Sequence, residues 1–123
     1  MGSHHFTAES SIHLIGSRAR DAFSVSFLRD DAGSVVTVTG ELDVATAPQL
    51  DGVLRCVSAQ VDGDLEIDAA KMTFCDCRGL AVLLHAAERR RRRGQRLTVV
   101  HPSPALRRLI SLIDTTGSLR IVR

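Results

Sequence analysis

Tryptophan and tyrosine are absent from this 123-residue chain, and four phenylalanines are its only aromatics. That removes the side chains on which a nucleic-acid surface stacks bases. Lysine is almost missing as well. Lys71 stands alone, so nearly all positive charge is arginine, a usage expected of a GC-rich bacterial coding sequence. The formal charge of +2 is too small to attract nucleic acid by its field. No apolar run approaches the roughly 18 residues that a bilayer-spanning helix needs. The N-terminus also lacks the apolar core of a secretory signal, so the chain is expected to be cytoplasmic with no membrane partner. Three cysteines, an odd number without metal-ligand spacing, fit a reducing compartment. Cys75-x-Cys77 is too close for a zinc knuckle, no second pair follows it, and no metal is expected. There is no phosphate-binding loop and no paired-carboxylate motif. His85 and His101 form no recognisable set with Cys77. Neither catalytic residues nor a cofactor are expected.

What is present is enough for one domain with its own hydrophobic core. Residues 1–20 read as an N-terminal extension with one short strand at Ile12, Leu14 and Ile15. Its first five residues, Met1 to His5, have the composition of a partial purification tag. Residues 21–123 form the domain. Phe23, Val25 and Phe27 alternate with Ser24 and Ser26, the period of a half-buried strand. A turn at Asp30–Gly33 and a returning strand over Val35–Gly40 complete a hairpin. Thr46 and Gln49 read as a capping box for a helix that Pro48 opens and that presents Leu50, Val53, Leu54 and Val57 as a stripe. Cys56 lies beside that stripe, as a small residue of the packing layer. A buried strand begins at Leu65 and Ile67. A second helix follows with Leu80, Leu83, Leu84 and Ala87 inward and Gly94 as its left-handed stop. A strand at Leu97–Val100 precedes a third helix, capped by Ser103 and opened by Pro104, with Leu106, Leu109, Ile110 and Ile113 inward. Leu119, Ile121 and Val122 make a last strand. Alternation of this kind predicts an α/β fold: parallel strands after the hairpin, a mixed sheet of four to five strands, and helices on one face.

Three separated motifs stand out. They are Gly40-Glu41-Leu42-Asp43 with Thr46-Ala47, then Phe74-x-Asp76-x-x-Gly79-Leu80, then Leu97–Val100 with Ser103-Pro104 and Leu106 to Leu109. In this order and spacing, over about residues 23–122, they resemble the STAS domain family, the anti-sigma factor antagonists. The resemblance implies a non-enzymatic protein that binds an anti-sigma factor, an ATP-binding protein of serine-kinase type, and thereby releases a sigma factor for transcription. The implied partner surface comprises Asp43, Thr46, Asp76, Cys77, Arg78 and Gly79. Asp76 reads as the cap of the second helix, and Gly79 as a point of close approach.

The departure from the family is chemical. The residue after the signature Asp is there a serine that the partner kinase phosphorylates; here it is Cys77, followed by Arg78. A thiol takes no phosphoryl group by serine-kinase chemistry, so the usual charge switch is missing. Cys77 is either a serine-sized filler in a constitutive binder or a redox switch at a helix N-terminus beside an arginine. A scaffold subunit of a larger assembly is the other reading. The run Arg89 to Arg93 falls in the last turns of the second helix, where cations complement the macrodipole, and reads as a solvated helix end.

Overall fold

The computed structural model describes residues 11–15, 23–114 and 116–122. The elements run β1 (Ser11–Ile15), β2 (Ser24–Asp30), β3 (Gly33–Leu42), α1 (Ala47–Gln60), β4 (Leu65–Asp68), β5 (Met72–Cys75), α2 (Cys77–Arg91), β6 (Leu97–Val100), α3 (Pro104–Ile113) and β7 (Leu119–Val122). The sheet order is β1-β2-β3-β4-β6-β7, with β5 also set against β3. The pairs β1–β2 and β2–β3 are antiparallel, and all later pairs are parallel. This is the expected mixed α/β class. The strand number is higher than the four to five read from the sequence, for two reasons.

The first is that the short strand of the extension joins the sheet, with Ile12 opposite Phe27 and Leu14 opposite Val25. The second is a break in the strand that begins at Leu65. Its pairing with β6 ends where the Ala69 amide donates to the Val100 carbonyl at 2.9 Å. The chain then turns on Ala70, whose amide donates to the Asp68 carboxylate at 3.0 Å, and on Met72, whose amide donates to the Ala69 carbonyl at 3.1 Å. Beyond the turn it follows β3 alone. The register shifts between Gly40 and Glu41, and Gly40 holds a φ of 97°, a backbone state that only glycine adopts without strain.

Strand alternation sorts the two faces. Val25 opposes Val38, and Phe27, Val36, Ile67 and Val99 form one buried row across four strands. Leu65, Leu97 and Leu119 form another. The opposite face carries Ser24, Ser26, Thr37, Glu66, Asp68 and Thr98, which are only partly covered or exposed. Against the apolar face α1 buries Leu50, Val53, Leu54 and Val57, and α2 buries Leu80, Leu83, Ala86 and Ala87. The two helices also pack on each other. α3 contributes less than its periodicity suggests. Leu106 and Ile110 are buried, whereas Leu109 is half-buried and Ile113 exposed, because only one i, i+4 row of this short helix faces the core. Cys56 is exposed rather than packed, lying a full residue step around the helix from Val57.

Candidate functional site

Two turns meet at the C-terminal ends of β3 and β5. The Asp76 amide donates to the Leu42 carbonyl at 3.1 Å, which extends the β3–β5 ladder into the turn. Gly79 is buried directly against that joint. A Cβ at position 79 would stand 2.6 Å from Leu42 Cγ and 2.7 Å from the Leu42 carbonyl oxygen, closer than such atoms approach. Glycine is required here by space, and its absence of a side chain is what lets α2 start against the end of β3. The Asp76 carboxylate accepts the Gly79 amide at 2.8 Å and caps α2, as the sequence indicated.

The start of α1 is built differently from the capping box read in the sequence. Thr46 makes no side-chain cap bond to its helix. Its hydroxyl donates backwards to the Glu41 carbonyl at 2.7 Å and accepts the Asp43 amide at 3.0 Å. The capping work falls to Asp43, whose Oδ1 accepts the amides of Ala45 at 2.9 Å and Thr46 at 3.1 Å. The Asp43 carbonyl takes the Ala47 amide at 2.8 Å. Thr46 is therefore buried as a brace, and Pro48 in the first helical turn needs no donor. Two helix N-termini, each faced by one carboxylate, open onto the same side of the molecule.

Of the residues singled out from the sequence, Thr46 and Gly79 are buried, Asp43 and Asp76 are half-buried and committed to caps, and Cys77 and Arg78 are exposed. The free surface also includes two large apolar residues. Phe74 is 52 % exposed and Val44 59 % exposed. Within β5, Met72 is buried whereas Thr73 and Phe74 are exposed, and among the described residues β5 pairs with β3 alone. The alternation that would have revealed this is too short to read in four residues. Next to the turns, α1 and α2 enclose a groove of about 320 Å³ whose walls include Val44, Pro48, Arg55, Arg78, Val82 and His85.

The three thiols differ in setting. Cys75 packs against the core, its Sγ 3.4 Å from the Asp76 carbonyl. Burial, followed by the neighbouring Asp76 charge, pushes its pKa up to about 12, so it stays a thiol. Cys77 and Cys56 are exposed. Among the described residues no three His, Cys, Asp or Glu side chains group to hold a metal ion, and no helix is long and apolar enough to cross a membrane.

The arginine run at the far end of α2 is solvated at Arg91, Arg92 and Arg93, as expected, but half-buried at Arg89 and buried at Arg90. Arg90 is 1 % exposed and donates to the Val61 carbonyl at 3.0 Å, with Ser58 Oγ at 3.5 Å. Arg93 reaches the Ser58 carbonyl at 3.0 Å and pairs with Asp62. Arg91 forks onto Glu88 at 3.0 and 2.7 Å, and Arg92 adds a contact at 3.4 Å. Burial, then Arg93, lowers the pKa of Arg90 from the usual arginine value. Consecutive positions step around the helix by about 100°, so five like residues face five surroundings. Composition could not show that one of them is buried.

Comparison with known proteins bears on this arrangement. A family model described as the Mlab STAS domain matches residues 25–122. An anti-sigma factor antagonist from Mycobacterium paratuberculosis is 31 % identical, with a TM-score of 0.73 over 84 % of this chain and 87 % of that one. The Bacillus cell fate determinant SpoIIAA in its phosphorylated form shares 17 % identity and a TM-score of 0.58 over 73 % of this chain and 82 % of that chain. The murine Slc26a9 anion transporter shares the fold at 17 % identity and TM-score 0.57, over 64 % of this chain but 13 % of its own.

Proposed function

The chain belongs to the STAS domain family, and from that membership we propose that it is an anti-sigma factor antagonist that binds an anti-sigma factor of serine-kinase type and so frees a sigma factor. The observation that carries this reading is the joint at Leu42, which puts the Asp43–Thr46 loop and the Asp76–Gly79 turn on one surface with Val44, Phe74, Cys77 and Arg78 exposed around it. Exposed apolar side chains beside an arginine and ordered backbone turns have the makeup of a protein-binding patch. The similar Mycobacterium protein, an anti-sigma factor antagonist by description, supports the partner class.

Function here rests on binding, without a catalytic centre or cofactor. Cys77 takes the place of the family's phosphoacceptor serine. The partner's kinase activity therefore cannot add charge at this turn, and the complex persists in ATP. A second reading stays tied to Cys77 because it is exposed while Cys75 is not ionisable near neutrality. Hydrogen peroxide would convert its thiol to a sulfenic acid with release of water, placing a polar group on the surface.

A pull-down from extract of the source cells, with identification by mass spectrometry, tests both. Recovery of a kinase-fold anti-sigma factor with reductant and with peroxide supports constitutive antagonism. Recovery only with reductant, restored in peroxide by Cys77→Ser, establishes the redox switch. Absence of any such protein under both conditions sinks the antagonist reading and favours a scaffold role, whereas its equal recovery by Arg78→Glu keeps antagonism and sinks the proposed surface.

A further inference from the structure

At the end of α2 remote from the two turns, a cavity of about 300 Å³ is lined by Arg91, Gly94, Arg96, Gly117, Ser118 and Arg120, among others. We propose that this cavity binds a phosphate monoester. Its three guanidinium groups come from three separate segments, the last residue of α2, the residue before β6, and β7. Arg91 is forked onto Glu88, so the forks left to meet a multidentate oxyanion are those of Arg96 and Arg120, each able to donate two N–H groups to phosphate oxygens.

The local charge balance favours an anion. Glu88 is bonded to Arg91 and Arg92 and accepts the Ser118 hydroxyl at 3.3 Å. Asp114 accepts the amides of Ser118 at 3.3 Å and Leu119 at 3.0 Å, and Asp64 accepts the Arg96 amide at 2.9 Å. Among the described residues, the side chains of Arg96 and Arg120 have no ion-pair or hydrogen-bond partner. The guanidinium groups of Arg91, Arg92, Arg96 and Arg120 stand against the carboxylates of Glu88, Asp114 and Asp64, an excess of one positive charge, and the Arg96 and Arg120 forks are the ones without a partner. At the end of α2 the carbonyls of Glu88, Arg90 and Arg91 accept the amides of Arg92, Arg93, Gly94 and Gln95, Arg90 taking two of them. Gly94 and Gly117 hold φ values of 74° and 70° at the cavity wall, and a Cβ on either would meet no atom within 4 Å. The volume exceeds what bare phosphate requires and leaves room for the first atoms of the group it esterifies.

α2 is 15 residues long, so this cavity lies about 22 Å from the Asp76 turn and the inference stands apart from the proposed partner surface. The test is an NMR titration of the full chain with inorganic phosphate at constant ionic strength. Saturable shifts of the Gly94, Gly117 and Ser118 amides are expected, with a dissociation constant of about 1 mM. Arg96→Ala/Arg120→Ala should weaken them by tenfold or more, its fold confirmed by unchanged remaining amides. Shifts that are absent, that rise linearly without saturating, or that survive in the double variant overturn the proposal. Co-sedimentation with phosphatidylcholine vesicles carrying phosphatidic acid identifies the source. Capture that needs both arginines, alongside the saturable shifts, assigns a lipid headgroup. Shifts without capture assign a soluble phosphate monoester. Vesicle capture without saturable shifts is surface charge only and overturns the cavity as a site.

Discussion

The two ends of α2 are both rich in polar groups, and they spend them in opposite ways. At the N-terminal end, Asp76 closes the helix, and Cys77, Arg78 and the neighbouring Phe74 face outward without a structural duty. At the C-terminal end, Arg90 and Arg93 reach across to Ser58, Val61 and Asp62 and fasten the exit of α1, while Glu88 gathers Arg91, Arg92 and Ser118. The difference teaches that charge density is a poor guide to function here. The motif with few charges is the free one, and the run of five arginines is largely a fastening.

Substitutions can break that contrast. Arg90→Ala should have the largest effect on stability, about 3 kcal/mol, since it empties a buried position and strands the Val61 carbonyl. Arg90→Met, which keeps the apolar stem, should recover part of it. Urea melts read both, and a loss within the scatter of ordinary surface variants would mean that the arginine end is no clamp. Gly79→Ala should come next, at about 2 kcal/mol, because its Cβ would press on Leu42 and lever the two turns apart. That variant should also lose partner binding, joining structure and function at the N-terminal end alone.

Asp76→Ala should cost about 1 kcal/mol as a lost cap. By contrast, Phe74→Ala should leave the melting curve within about 0.5 kcal/mol of the parent yet weaken the anti-sigma factor complex at least tenfold. Equal binding by Phe74→Ala would move the contact surface elsewhere. The smallest effect concerns pH. Hydrogen bonding to Arg91 lowers the Glu88 pKa from 4.5 to about 2. The folded pKa is the lower one, so the contribution of this carboxylate is fully present above pH 4.5 and vanishes as pH falls through about 2. The melting temperatures of parent and Glu88→Gln should differ above that window and converge below it.

Much of the fold was legible because its signals are periodic. Leu50, Val53, Leu54 and Val57 announce a helical face, and Val25 and Phe27 with Val36 and Val38 announce a hairpin. The caps at Asp76 and Ser103 follow from residue type and position. What stayed hidden depends on distant partners. Thr46 looks like a cap by sequence, but the Glu41 carbonyl five residues earlier claims its hydroxyl. Phe74, in the sequence only a motif residue, is half exposed on the short β5. Arg90 reads as solvated until Val61, 29 residues earlier in the chain, supplies its acceptor. Of the site, Asp43, Asp76 and Gly79 were visible as motif, whereas their assembly around Leu42 came from register between strands that share no local pattern.

The break at Ala69–Lys71 has a dynamic consequence. Among the described residues β5 pairs with β3 alone, and it buries only Met72 of its four residues, so little apolar surface must be exposed to release it. The strand and its turn form a small unfolding unit hinged on an otherwise intact sheet. In native-state hydrogen exchange, amides of β5 should exchange through local opening, well before those of β3 and β4, which wait for the whole domain. A binding loop mounted on such a unit can reshape itself to an incoming surface while the sheet behind it keeps its register.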